Sequence, residues 1–184
     1  MSVPARILGL DPGLNTTGYA VIDSTSAGVR LVEAGVIKPT VKRETADMAQ
    51  RLKRLYDGVM EVVKAFKPGT MAVEQLYAHY EHPRTAILMG HARGVIILAA
   101  GMNDMPMTGY AATQIKKAIT GSGRAGKDQM QMAMLREFCL KELPEPHDVA
   151  DAMAIALCHH YLRGTPNDQP DIIEGVRVKL PAAG

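Results

Sequence analysis

Residues 5–37 read "ARILGLDPGLNTTGYAVIDSTSAGVRLVEAGVI", and the fold turns on how this stretch is divided. "ARILGLDPG" is an apolar run that ends in a turn, "TTGYAVIDS" answers it as a second run, and "VRLVEAGVIKP" follows as a third. The connections are short and carry Gly, Asp and Ser, so the three runs are expected to form an antiparallel meander. From Thr45 to about Phe66 the period changes to a helical one, with Met48, Leu52, Leu55, Met60 and Val63 recurring. "GTMAVEQLY" is then a fourth strand, with Glu74 near its centre and "MAV" apolar on both faces. A helix from about Pro83 to Ala100, a fifth strand near "MPMTGYA", and helices over "TQIKKAIT", "KDQMQMAMLREFC" and "HDVADAMAIAL" complete the pattern. From Gly164 the chain mixes Pro, Gly and charge without a period. It is expected to be a flexible tail (164–184) behind a single domain (1–163).

Composition bounds the function. With 184 residues, 47% apolar and 22% charged, the chain has the make-up of one globular domain with a full core. Aromatics are scarce and Trp is absent, so the 12 methionines take over part of the filling. No apolar run approaches the roughly 20 residues of a membrane span, and the N-terminus has no signal-like hydrophobic stretch. Cys139 and Cys158 form no CxxC pair and read as free thiols, in keeping with a cytoplasmic protein. A net charge of +2 neither demands nor forbids a nucleic-acid partner.

Four carboxylates stand in unusual places. Asp11 ends the first strand, Glu74 follows an apolar run in the fourth, and Asp148 and Asp151 open the last helix three residues apart, on one face. Turn chemistry and the helix dipole account for Asp11 and Asp148 individually. They do not account for Glu74, because an unpaired carboxylate in a buried strand costs several kcal/mol. A hard divalent cation, which prefers an all-oxygen environment, would offset that cost and the repulsion between Asp148 and Asp151.

"ILGLDPGLNTTGYAVI", "AVEQLY", "GHARGVI", "YAATQIKKAITGSGRAGKDQMQ" and "HDVADAMAIAL" resemble, in order and spacing, the successive motifs of the RuvC family of Holliday-junction resolvases, over about residues 6 to 162. The resemblance implies a ribonuclease-H-like α/β fold: a five-stranded mixed sheet, three strands antiparallel and two parallel, with helices on both faces. It implies that Asp11, Glu74, Asp148 and Asp151 hold two magnesium ions (Mg2+), with Asp11 bridging and manganese (Mn2+) able to substitute. Two such ions about 4 Å apart support an in-line attack of water on phosphorus. The products are a 5′-phosphate and a 3′-hydroxyl. His147 adjoins Asp148, but the family's pattern is complete without it.

"GSGRAGK" imitates a nucleotide loop: Gly121, Gly123 and Gly126 satisfy G-x-G-x-x-G, and Lys127 follows. Asp128 stands where a phosphate loop needs Ser or Thr, and the preceding segment reads as a helix rather than a strand. The resemblance instead assigns Lys127, as a catalytic residue, and Lys116 to phosphate contacts. Lys117 and Arg124 extend the basic patch, with a solvated surface as the alternative. Tyr77 takes the place of a family Phe in a loop that reaches the junction centre, where its ring can stack on a splayed base. His79, Tyr80 and His82 share that loop. Gly90 and Gly94 sit one turn apart on a helix that forms a symmetric dimer in the family, and the branch-migration proteins RuvA and RuvB are the family's partners. His159 and His160 read as helix-end residues that favour the dipole. The alternatives are a nuclease of the same fold acting on RNA or hybrids, an actin-like nucleotide binder, for which the chain is too short, and a non-catalytic junction-binding module.

Overall fold

The computed structural model describes residues 5–39, 47–76 and 83–163. Three strands, β1 (Ala5–Asp11), β2 (Thr17–Thr25) and β3 (Gly28–Ile37), form the expected antiparallel meander. A register shift at Val21/Ile22 bulges β3 against β2. After α1 (Met48–Phe66), β4 (Thr70–Glu74) pairs parallel to β1, and after α2 (Pro83–Gly101), β5 (Met107–Tyr110) pairs parallel to β4. The sheet order is β3-β2-β1-β4-β5, the mixed five-stranded sheet that the sequence resemblance implies. Three helices close the chain: α3 (Ala112–Thr120), α4 (Lys127–Glu137) and α5 (His147–Leu162).

Strand alternation divides the core into two layers. Leu8 and Leu10 of β1, with Met71 and Val73 of β4, pack against Leu55, Val59, Ile96 and Ala99 of α1 and α2. The intervening positions, Ile7 and Ala72, face the other side, where Met153, Ile155 and Ala156 of α5 and Met130 and Met134 of α4 cover the sheet. α5 is buried along most of its length, and small residues dominate its contact face.

The helices start where local chemistry allows. Asp47 caps α1, its Oδ1 accepting the Gln50 N–H at 2.8 Å. The glycine-rich segment expected to be a loop lies between α3 and α4: Gly121, with φ +76°, ends α3, and the Gln129 side chain accepts the Gly126 N–H at 3.0 Å to start α4. The fourth strand is shorter than its sequence implies. It ends at Glu74, so Glu74 lies at the strand's C-terminal end rather than its centre.

Candidate active site

The position of Asp11 and Glu74 follows from register. Leu10 pairs with Val73 in the parallel ladder, so the next residues, Asp11 and Glu74, leave the sheet side by side at the ends of adjacent strands. They alternate with Leu10 and Val73, which face α1 and α2, and therefore point towards α5.

α5 reaches them because two glycines let its backbone lie directly on the sheet. A Cβ added to Gly9 would meet the Ala152 carbonyl oxygen and approach the Ala156 nitrogen to 2.7 Å. One added to Gly18, the β2 partner of Asp11, would collide with the carbonyl oxygen of Asp148. Any side chain at either position would lift the helix off the strands. With glycine at both, Asp148 and Asp151 stand over the end of β1.

The electrostatics record the crowding. Burial pushes the Asp11 carboxyl up to about 8, reinforced by Glu74, Asp151 and Asp148 and opposed by Lys127. Glu74 is raised by burial and by Asp151, with Lys116 opposing. Asp151 is raised by burial and Asp148, against the pull of Lys127, His147 and Lys116. Arg6–Asp23, Arg30–Asp23 and Lys53–Asp57 form close ion pairs away from this cluster. The donor set suits a hard divalent cation: several oxygens, partly buried, with Asp11, Glu74 and Asp151 made harder to ionise by burial and by neighbouring acids. Among the described residues no three His, Cys, Asp or Glu side chains converge as a closed metal cage. The fit therefore rests on donor chemistry and mutual repulsion, not on a preformed coordination shell.

The cluster lies between two cavities. One, of about 190 Å³, is lined by Glu74, Asp151, Lys116 and Lys127. The other, of about 400 Å³, is bounded by Asp11, Asp148, the turn from Pro12 to Thr16 and the first turns of α2. Lys116 and Lys127 thus join the carboxylates, whereas Lys117 and Arg124 are solvent-exposed and line neither cavity. His147 is exposed at the start of α5 and acts on Asp151 through its charge. Tyr77, His79, Tyr80 and His82 lie outside the described residues, as does the tail.

Two features went unread in the sequence. Gly9 and Gly18 are necessary because of a tertiary contact that no local pattern announces. His159 does more than favour a dipole. It is 4% exposed, with Nδ1 2.8 Å from the Tyr110 hydroxyl and Nε2 3.4 Å from Thr70 Oγ1, so it bridges α5 to β4 and β5. Tyr110 is in turn the ladder partner of Glu74.

The family model described as crossover junction endodeoxyribonuclease RuvC matches residues 7–159. The chain is 53% identical to the protein of that name from Rhodopirellula baltica, over 89% of this chain and 90% of the relative. It is 41% identical to that from Paramagnetospirillum magneticum, over 87% and 93%. Among solved structures, Thermus thermophilus RuvC in complex with Holliday junction substrate superposes with a TM-score of 0.77 at 30% identity, covering 90% of this chain and 99% of that one. The yeast mitochondrial Holliday junction resolvase Ydc2, 16% identical with a TM-score of 0.60, shares the fold. Sheet order and family model agree: the chain belongs to the RuvC family of crossover junction endodeoxyribonucleases.

Proposed function

We infer that this chain is a crossover junction endodeoxyribonuclease that resolves four-way Holliday junctions in recombination and DNA repair. The observation that carries the reading is the meeting of Asp11, Glu74, Asp148 and Asp151 at one end of the sheet, beside Lys116 and Lys127, in a chain of this family. The four carboxylates would hold the metal, two magnesium ions with manganese as a substitute. When bound, these ions supply the polarised phosphorus, the activated water and the stabilised leaving oxygen of phosphodiester hydrolysis.

The chain's own residues do the rest. Lys127, at the first turn of α4, and Lys116, on α3, set two ammonium groups beside Glu74 and Asp151, where they draw the phosphodiester against the carboxylates. Lys117 and Arg124 add non-specific attraction along the approaching strand, and Tyr77 stacks on an opened base. Attack in line with the 3′-oxygen leaves a 5′-phosphate and a 3′-hydroxyl.

Paired symmetric nicks call for two copies related by a twofold axis. α2 supports such a homodimer. Ile87, Leu98 and Met102 are 61%, 56% and 63% exposed, and Gly90 and Gly94 have open space where a Cβ would be. At helical spacing these positions form an apolar stripe with room for a second helix. We assign residues 1–163 to the nuclease domain. RuvA and RuvB are partners by family resemblance. Among the described residues no helix is long and apolar enough to cross a membrane, and a cytoplasmic site of action suits a DNA-repair enzyme.

The test is cleavage of a synthetic four-way junction beside a linear duplex and an RNA–DNA hybrid, with magnesium or with EDTA. Paired nicks confined to the junction, and only with the metal, are expected. Preferred cleavage of the hybrid would replace the resolvase reading with a ribonuclease one. Tight junction binding without cleavage would indicate a non-catalytic module.

A further inference from the structure

The two cavities beside the carboxylates differ in charge and shape. The smaller holds Lys116 and Lys127 against Glu74 and Asp151, so an entering phosphodiester meets compensating charge. The larger presents Asp11 and Asp148 on one wall, and among the described residues that line it none is a cation. A second phosphate there would need a compensating cation that none of these lining side chains supplies. An uncharged group would not, and the remaining walls offer such a group both apolar and hydrogen-bonding surface. Leu14, Leu88 and Met89 supply the apolar part, and Asn15, Thr16 and Thr85 supply side-chain amide and hydroxyl groups.

We propose that this cavity is a base-reading subsite, which receives the nucleobase flanking the cut phosphate, and that Asn15, Thr16 and Thr85 read its edge. The proposal rests on the nuclease reading above and adds to it the place where a cleavage-site preference is set. Position supports it: the cavity shares Asp11 and Asp148 with the carboxylate cluster, so a group bound there lies beside the place of the reacting phosphate. Volume supports it too, since about 400 Å³ is within the range of pockets that enclose small planar ligands.

The turn that forms one wall is held rigidly, as discrimination requires. Thr17, fully buried, donates through Oγ1 to the Gly13 carbonyl at 2.6 Å and accepts the Gly13 N–H at 3.2 Å. Arg51 of α1 donates through Nη2 to the Leu14 carbonyl at 3.1 Å and to Asn15 Oδ1 at 2.8 Å. With its oxygen engaged, Asn15 has its amide donors left for a ligand, which favours base edges that present acceptors.

The experiment is single-turnover cleavage, at saturating magnesium, of junctions in which the two nucleotides on each side of the cut are varied one at a time. Each position is also replaced by an abasic residue. Wild type is expected to prefer particular bases at one flanking position. Asn15→Ala and Thr85→Val should flatten that preference by about tenfold, the effect of one or two lost hydrogen bonds. On the junction abasic at that position, the gap between variants and wild type should shrink towards one. Both side chains are exposed, and matched thermal melts would confirm intact folds. An unchanged preference profile in both variants, an equal loss on intact and abasic junctions, or a wild type with no base preference would overturn the subsite. A wild type that cuts no junction at all would overturn the nuclease reading itself.

Discussion

The two ends of β1 treat a carboxylate in opposite ways. At the start of the strand, Arg6 donates to the buried Asp23 of β2 through Nε at 2.7 Å, and Arg30 of β3 donates to it through Nη2 at 2.6 Å. Arg6 also donates to the Phe66 carbonyl at 2.8 Å, tying α1 to the same point. Hydrogen bonding from Arg6 holds the Asp23 carboxyl below the usual range, with Arg30 adding to it. At the other end of the strand, burial and neighbouring acids push Asp11 up to about 8. Where a carboxylate serves only the fold, the chain supplies its own cations. Where four are gathered with two lysines at most, the balance is left for something the enzyme binds.

Neutralising the far end should have the largest effect. Asp11→Asn, Glu74→Gln, Asp148→Asn and Asp151→Asn are each expected to lower single-turnover junction cleavage by about 10³-fold or more, while junction binding persists. Full activity in any one variant would remove that residue from the site. Next comes Gly18→Ala, which must shift α5 and with it Asp148. A displacement of about 1 Å is expected to cost on the order of 100-fold in rate and to raise the magnesium concentration for half-maximal activity. Unchanged metal dependence would break the link between this glycine and the site.

At the near end, Asp23→Asn should leave cleavage intact and lower stability by about 1–3 kcal/mol at neutral pH. Because the folded carboxyl titrates below its unfolded value of about 3.9, its contribution is full above that value and is lost as pH falls through the lower folded one. Urea unfolding of wild type and variant should therefore converge in acid. At Asp11 a stability change of the opposite sign is expected. The raised Asp11 destabilises the metal-free fold increasingly as pH climbs from about 4 towards 8. Asp11→Asn should then stabilise the EDTA-treated protein at pH 8 and change it little near pH 4, as read by urea unfolding at the two pH values.

Much of this was legible beforehand. The meander followed from three apolar runs with short polar turns, and the acidic residues stood out because each interrupted an apolar pattern. The parallel placement of β4 and β5 needed the family resemblance, since periodicity does not specify which edge a strand joins. The Arg6–Asp23–Arg30 network was not legible, because cross-strand pairing depends on register, and the bulge at Val21/Ile22 shifts that register. β4 read as running on to Tyr77 because Gln75 and Leu76 do not break an apolar pattern. It stops at Glu74, and the Gln75 N–H still bonds to the Tyr110 carbonyl at 2.9 Å. Lys117 shared a basic segment with Lys116, yet helix geometry turns neighbouring residues to different sides, and Arg124 sits exposed in the loop between α3 and α4.

The buried contact of His159 with Tyr110 and Thr70 has a consequence for how α5 finds its place. The helix meets the sheet through a nearly featureless seam, Ala152 and Ala156 over Gly9, and such a seam resists sliding only weakly. A slip of one turn, about 5.4 Å, would bring Ala152 and Ile155 to the positions of Asp148 and Asp151 with little loss of apolar burial. It would also strand the imidazole and the phenol hydroxyl in the core without partners, a cost of about 1–3 kcal/mol per group. The polar bridge thus works as an index mark, together with the 2.6 Å contact of His160 Nδ1 with Ser24 Oγ of β2: the two select one axial setting of the helix, the one that delivers both acids to the end of β1.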